Sequence, residues 1–372
     1  MVVGLSTALA DKGVEVTILT TDSNGDRGQP PLDVPLETPI QQNGYEVYYF
    51  RCSPFRRYKF SLNLLRWLAN HSHEYDLAHI HALFSPVSSM AARVARSHHL
   101  PYILRPLGTL DPADLQKKRQ LKNLYATLLE RPNLAGAAAV HFTSDQEAKI
   151  SDRFGTLTQD LVIPLGVTLP KITQPIAIRE KFGIPGDRPL LLFMSRIDPK
   201  KGLNLLIPAL ETLAKEQDFQ FVLAGANPQD PEFETKIRDR IQQSNLGDRT
   251  TLTGFVSGSE KTALLQAADL FVLPSYYENF GIAVAESMAA ATPVVISDQV
   301  HIWQDVQQAQ AGWVTSCDVE ALTNTLRTAL SNRSEQQRRG KCAQEYAEKY
   351  YSWGAIADQM TQAYSQILNR QV

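Results

Sequence analysis

Apolar residues along this chain fall into short continuous runs, separated by longer stretches in which they recur every three or four positions. The runs of the first half are "VEVTILTT", "YEVYYF", "LAHIHAL", "PYILRP" and "AAAVHFTS"; those of the second are "PLLLFMS", "FQFVLAG", "TTLTGF", "DLFVLPS", "TPVVISD" and "AGWVTS". Runs this short predict strands, and those without polar alternation predict strands buried on both faces. Between them, stretches such as "NLLIPALETLAKEQ" and "EFETKIRDRIQQSN" predict amphipathic helices. Strand and helix in alternation predict an α/β fold with parallel sheets.

At 372 residues the chain is too long for one ordinary core. Its boundary falls in "GVTLPKITQPIAIREKFGIP", where Pro170, Pro175 and Pro185 interrupt any period and the stretch reads as a linker. The predicted domains are two Rossmann-like units, residues 1–168 and 176–350. Residues 351–372 form a closing helix, with Trp353, Ile356, Met360, Tyr364, Ile367 and Leu368 near a 3.6 period. It packs either on the second domain or back on the first. The start breaks the rhythm: residues 2–12 pattern as a helix, with Val2, Val3, Leu5, Leu9 and Ala10 apolar and Gly13 as its stop. The first strand of the amino-terminal domain, with its strand–helix loop, is therefore expected to be missing.

Composition narrows the classes. Hydrophobic residues are 43% and charged residues 20%, a globular balance, and the net charge of -2 argues against a general nucleic-acid binder. Cys52, Cys317 and Cys342 stand far apart without CxxC spacing. Neither a disulfide framework nor a zinc site is expected, and a reducing compartment fits. No apolar run approaches the ~18 residues of a membrane span, and the first residues lack the basic region of a signal peptide, so a cytoplasmic location is expected. Neither a Walker loop nor GxGxxG is present, which leaves kinase, ATPase and simple dehydrogenase readings without support.

Two stretches carry candidate chemistry. In "FMSRIDPKKGLNLL" a strand ends at Ser195 and a loop presents Arg196, Asp198, Lys200 and Lys201 before Gly202 and a helix. Cations at a strand's carboxyl end, beside a helix N-terminus, make an anion site. Arg196 offers a two-pronged fork and Lys201 a point charge, which suits a diphosphate; a solvated basic loop is the plainer alternative. In "ENFGIAVAE", residues 278–286, Gly281 allows close backbone approach, and the N–H groups from Phe280 to Val284 are expected to point at the same anion. Glu278 from the loop and Glu286 from the helix then reach sugar hydroxyls. The plainer alternative makes Glu278 a charge favourable to the helix dipole and Glu286 a surface residue.

With "DLFVLPSYY" before it, this pair of glutamates resembles the signature of the retaining GT-B glycosyltransferases of the fourth sequence family. That group includes glycogen synthase-like, sucrose synthase-like and lipid mannosyltransferase members. "SRIDPKKG" is similar to the family's phosphate-binding segment, and "LTGFVSGSEKTALLQAADLFVLPS" to the segment beside the nucleotide base. The likeness covers nearly the whole second domain. It is looser in the first, at "YDLAHIHALFSP", "LPYILRPLGTLDP" and "AAAVHFTSDQEA".

The resemblance implies a GT-B fold, with two Rossmann-like domains facing a central cleft that closes over the donor, and acceptor binding in the first domain. It implies transfer, with retention, from a nucleotide diphosphate sugar, most often a UDP-sugar, to a glycan, glycolipid or lipid-linked acceptor. Arg196 and Lys201 would bind the diphosphate and stabilise its departure, as electrostatic catalysis requires. Glu278 would contact the sugar, and Glu286 the ribose. Ser195, Asn279, Phe280, Gly281 and Ile282 would line sugar and phosphate, and Gly254, Phe255 and Val256 the base. No Asp-x-Asp triplet occurs, so no metal is expected, and no cofactor beyond the donor. Where many members carry His-Gly or Arg-Gly facing the donor sugar, this chain has Leu107-Gly108, which leaves His81, Arg105 and Gly108 as candidates on the acceptor or sugar side; a hydrogen-bonded structural histidine is the plainer alternative for His81. A non-catalytic nucleotide-sugar-binding subunit, or a GT-B epimerase or phosphorylase, is the alternative.

Two basic stretches remain. Residues 51–73 hold five Arg or Lys and no acid, and residues 115–131 place apolar side chains at 121, 124, 125, 128 and 129 behind a basic start. Both read either as core-facing helices with solvated basic sides or as contacts with anionic lipid headgroups.

Overall fold

The structure, a computed structural model, describes residues 1–25, 29–53, 59–115, 119–168, 176–185 and 188–370. The middle of the expected linker and parts of both basic stretches, 54–58 and 116–118, lie outside the described residues. The chain divides into two compact units: residues 1–166 with 353–372, and residues 167–352.

The first unit opens with the helix Val2–Ala10 and continues through β1 (Thr17–Thr21), β2 (Ile40–Gln42), β3 (Tyr45–Phe50), β4 (Ala78–His81), β5 (Tyr102–Arg105), β6 (Ala139–Phe142) and β7 (Asp160–Val162). These strands form two sheets, β1-β3-β2 and the all-parallel β4-β5-β6-β7. The β2–β3 hairpin turns on Asn43 and Gly44, both at positive φ (48° and 86°), between the paired Gln42 and Tyr45. That is the two-residue turn whose twist matches the flanking strands. On one face of the second sheet, Ile80, Leu104 and Val140 share a core with Ala92, Ala95 and Leu134. On the other, Ile103 and Ala139 meet Ile367 of the closing helix Trp353–Asn369. Leu5 and Leu9 of the opening helix pack on Ile356, Ala357 and Met360, so the terminal helices form one layer.

One expectation is corrected here. The stretch 115–131 buries Leu115 but turns Leu121, Leu124 and Leu128 outward. The helix Arg119–Tyr125 passes through a π-turn, Ala126–Glu130, into the helix Arg131–Gly136. Glu130 is buried and accepts from the Phe84 N–H (2.6 Å) and Ser89 Oγ (2.7 Å). The turn that brings this carboxyl inward leaves Leu121, Leu124 and Leu128 65%, 58% and 65% exposed. By contrast, the helix Leu62–His71 buries Leu64, Leu65 and Leu68 and leaves Arg66 outside.

The second unit is a single parallel sheet: β8 (Leu190–Met194), β9 (Gln220–Ala224), β10 (Thr250–Gly254), β11 (Leu270–Leu273), β12 (Val294–Ser297) and β13 (Gly312–Thr315). The tail of the expected linker belongs to it, because Ile178 and Ile184 are buried around the short helix Ile178–Lys181. Every residue of β8, β9, β11 and β12 is buried, which explains their unbroken apolar runs. The strand order is β10-β9-β8-β11-β12-β13. It reverses between β8 and β11, and an open α/β sheet has its ligand crevice outside the carboxyl ends at such a point.

Candidate functional site

Both chemical stretches of the second unit leave the sheet at that reversal. After β8 the chain turns through Ser195 and Arg196 into the one-turn helix Pro199–Lys201, which Asp198 caps by accepting from the Lys200 N–H at 3.0 Å. Gly202 follows at φ 73°, where a Cβ would stand 1.9 Å from the Pro274 carbonyl oxygen. Only glycine fits there. After β11 the chain returns alongside: the Tyr276 N–H donates to the Lys200 carbonyl at 2.8 Å, and Asn204 Nδ2 donates to the Tyr276 hydroxyl at 2.8 Å. The two loops are thus stitched into one rim.

Glu278 is pinned through its backbone. Its N–H donates to the Gln299 carbonyl (3.1 Å), and its carbonyl accepts from the His301 N–H (3.0 Å). Its carboxylate takes Lys201 Nζ in a largely buried ion pair, with the side chains 15% and 20% exposed. One and a half turns into the helix Ile282–Ala289, Glu286 takes Lys261 Nζ at 2.6 Å, with 24% of the lysine and 13% of the glutamate side chain exposed. Two Lys–Glu pairs therefore bracket the start of this helix. Arg196 is held loosely, 3.9 Å from Asp198 and 53% exposed, and is free to swing toward an anion.

The remaining predicted positions divide. Gly281 sits at φ 81° and caps the helix, and Ile282 is 41% exposed at its mouth. Phe255 is 81% exposed beside Gly254 (φ 71°), while Val256 is buried. Asn279 is half-buried. The Phe280 side chain is no lining residue: it is buried, edge-on to Tyr351 with ring centroids 5.4 Å apart. Nor do all five N–H groups from Phe280 to Val284 face a ligand. Left-handed Gly281 tightens the first turn, and the Val284 N–H donates to the Gly281 carbonyl at 2.8 Å. Lys261 was not among the predicted residues. Its role comes from a contact 25 positions away, and no local pattern in "SGSEK" announces it.

In the first unit, His81 and Arg105 are register partners at the carboxyl ends of β4 and β5. Arg105 is 2% exposed, and burial lowers its pKa to about 10 against the opposing effect of Glu147. Burial and the Arg105 charge hold the His81 pKa down to about 3, with the amino terminus adding to the effect. Gly108 donates its N–H to Glu147 Oε1 at 3.2 Å. His79 lies alongside, its ring stacked on that of His81 (4.8 Å) and its Nδ1 2.9 Å from the Tyr364 hydroxyl. Among the described residues no group of three His, Cys, Asp or Glu stands close enough to hold a metal ion, and no helix is long and apolar enough to cross a membrane.

Comparison with known proteins places this geometry. Residues 176–346 match the family model described as glycosyl transferases group 1, and residues 1–166 match the glycosyl transferase 4-like domain. The D-inositol 3-phosphate glycosyltransferase of Xylanimonas cellulosilytica is 27% identical over 99% of this chain and 91% of its own length. Sucrose-phosphate synthase from Thermosynechococcus elongatus superposes with a TM-score of 0.75 at 24% identity, covering 99% of this chain and 93% of that one. HepE of Anabaena, in complex with UDP and glucose, superposes with a TM-score of 0.68 at 22% identity, covering 87% of each chain.

Proposed function

This chain belongs to the GT-B glycosyltransferases of the fourth sequence family, and on that premise we propose that it moves a sugar, with retention, from a UDP-sugar to a glycan, glycolipid or lipid-linked acceptor. The observation that carries the reading is the pairing of Lys201 with Glu278, and of Lys261 with Glu286, on loops that meet where the strand order reverses. Lys201 and Arg196 take the diphosphate together with the first turn of the helix Ile282–Ala289. The anion displaces Glu278 from Lys201 and frees its carboxylate for the sugar hydroxyls. Glu286, already steadied by Lys261, accepts from the ribose hydroxyls. Ser195, Asn279, Gly281 and Ile282 line sugar and phosphate, and Phe280 lends only its backbone. Gly254 and Val256 frame the base, with exposed Phe255 as a flat surface for it.

In the transfer, the bond from the anomeric carbon to the departing phosphate oxygen breaks and a bond from the acceptor oxygen forms on the same face. The acceptor's proton passes to the leaving diphosphate. Charge compensation by Arg196, Lys201 and the helix dipole makes a metal unnecessary; such donors are worth roughly 3 kcal/mol each. UDP as the nucleotide is supported by Anabaena HepE, whose structure holds UDP and glucose. The outward Leu121, Leu124 and Leu128 support a membrane-borne acceptor, since an exposed leucine stripe suits a lipid surface better than water. Incubation with UDP-glucose, UDP-galactose and GDP-mannose, with and without a lipid extract, tests the reading. Release of UDP with transfer of sugar is expected; UDP bound but never released from any donor contradicts it. Co-sedimentation with vesicles, with and without anionic lipid, tests the membrane contact, which negligible binding to both would remove.

A further inference from the structure

Among the described residues of the first unit, Arg105 is the charged side chain that its surroundings leave with two buried donors unmet. It is 2% exposed, yet its Nε and Nη2 are buried without a hydrogen-bond partner, and so is Nδ1 of neighbouring His81. A buried donor without an acceptor is destabilising, and a charged one more so. The carboxylate whose field it feels, Glu147, is committed elsewhere: to the Thr143 N–H and hydroxyl at 2.7 Å each and to the Gly108 N–H at 3.2 Å. The two orphaned donors are not an arbitrary pair. Nε and Nη2 form one edge of the guanidinium, two parallel N–H groups spaced for two oxygens of one anion.

Their place in the sheet agrees. His81 and Arg105 are adjacent at the carboxyl ends of two parallel strands. In the loops beyond, Ala82, Phe84 and Leu107 all hold left-handed backbone (φ 70°, 56° and 58°), a conformation non-glycine residues keep only when their surroundings impose it. From this juxtaposition we infer that Arg105, with His81 beside it, is an oxyanion site that receives a phosphate or carboxylate carried by the acceptor. The inference rests on the reading that the first unit receives the acceptor, and names the chemistry that acceptor must carry. The Nε–Nη2 edge takes two oxygens, His81 Nδ1 stands beside a third, and the enclosure strengthens both contacts because water is excluded. A neutral acceptor would offer these atoms only uncharged hydroxyls, which bond a guanidinium more weakly than an oxyanion does.

Calorimetry on the full chain tests this, with fructose 6-phosphate, fructose, glucuronate and inorganic phosphate as separate ligands and UDP as a reporter of the other unit. The wild type is expected to bind fructose 6-phosphate or glucuronate at least about tenfold tighter than fructose. Arg105→Met should lose about 10- to 100-fold of that, and Arg105→Lys, which keeps the charge and not the fork, an intermediate amount. UDP affinity should be the same in all three. Should Arg105→Met fail to fold, Arg105→Lys carries the comparison alone. Equal affinities in wild type and Arg105→Lys, or for fructose and fructose 6-phosphate, overturn the inference. Inorganic phosphate bound as tightly as both organic anions overturns its acceptor half, since the site then serves a free ion. Loss of UDP binding in the wild type strikes the donor reading and leaves the Arg105 result standing.

Discussion

The strand ends of β8 and β11 and those of β4 and β5 are built from similar parts and kept in opposite electrostatic states. In the second unit each lysine has its carboxylate, Lys201 with Glu278 and Lys261 with Glu286, and the pairs remain 13–24% exposed. In the first unit Arg105 and His81 are sealed in with donors or acceptors unmet. The difference lies in where each charge is settled. A lysine paired with a carboxylate has its charge settled, and it can exchange that carboxylate for an incoming anion without being left unpaired. A sealed, unpaired guanidinium cannot, and it waits for a partner brought from outside. On the proposed reading, the first arrangement suits exchange and the second capture.

The comparison breaks first at backbone level. Gly202→Ala forces a Cβ to within 1.9 Å of the Pro274 carbonyl oxygen at φ 73°. The loops that carry Lys201 and Glu278 must separate, at a cost of several kcal/mol. Thermal unfolding should fall sharply, whereas Gly254→Ala, with no atom within 4 Å of the added Cβ, should cost far less despite its φ of 71°. Equal losses would mean that the close approach of the loops is not what glycine provides.

Acid separates the units next. Burial first, with the Arg105 charge behind it, holds the pKa of His81 and His141 down to about 3, and burial with the charges of His81, His141 and Arg105 holds that of His79 well below normal. Facing the cluster are Arg105, Tyr364 and the amino terminus. The unfolded chain takes up protons near pH 6.5, and the folded unit declines them until about pH 3. The unfolded state therefore binds more protons between these limits, and folding stability falls as pH drops through that window. Each histidine contributes about 1.4 kcal/mol per pH unit. Scanning calorimetry at pH 7 and pH 5 should show the first unit's transition dropping well ahead of the second's. Parallel shifts would mean that these histidines are not sealed.

The smallest effect is expected on the outer face. Replacing Leu121, Leu124 and Leu128 together by Ser should move stability by about 0.5 kcal/mol or less per site, as exposed positions do. A loss of several kcal/mol would place them in a core after all.

Much of this was legible in the sequence. All eleven apolar runs form strands, because strands buried on both faces leave little room for polar residues. Two strands of three residues each, β2 and β7, escaped for lack of length, although Asn43-Gly44 was a readable hairpin signal. The outward leucines were not legible: periodicity marks a stripe without saying which way it points, and the π-turn that draws Glu130 inward sets the side. Glu278, Glu286 and Lys201 stand out in their motifs as candidates, whereas Lys261 and the pairing of charges do not, being contacts between distant positions. Arg105 showed as the end of an apolar strand, with no sign that its charge would be enclosed.

The central claim is that Lys201 is shared between Glu278 and the donor's diphosphate. Titrating UDP into wild type, Lys201→Ala and Glu278→Gln tests it most directly. The account predicts affinity about 10- to 100-fold weaker without Lys201 and unchanged or tighter without the Glu278 charge, which no longer competes for the lysine, while sugar transfer falls in both. UDP affinity that ignores Lys201, or that collapses with Glu278→Gln, would contradict it.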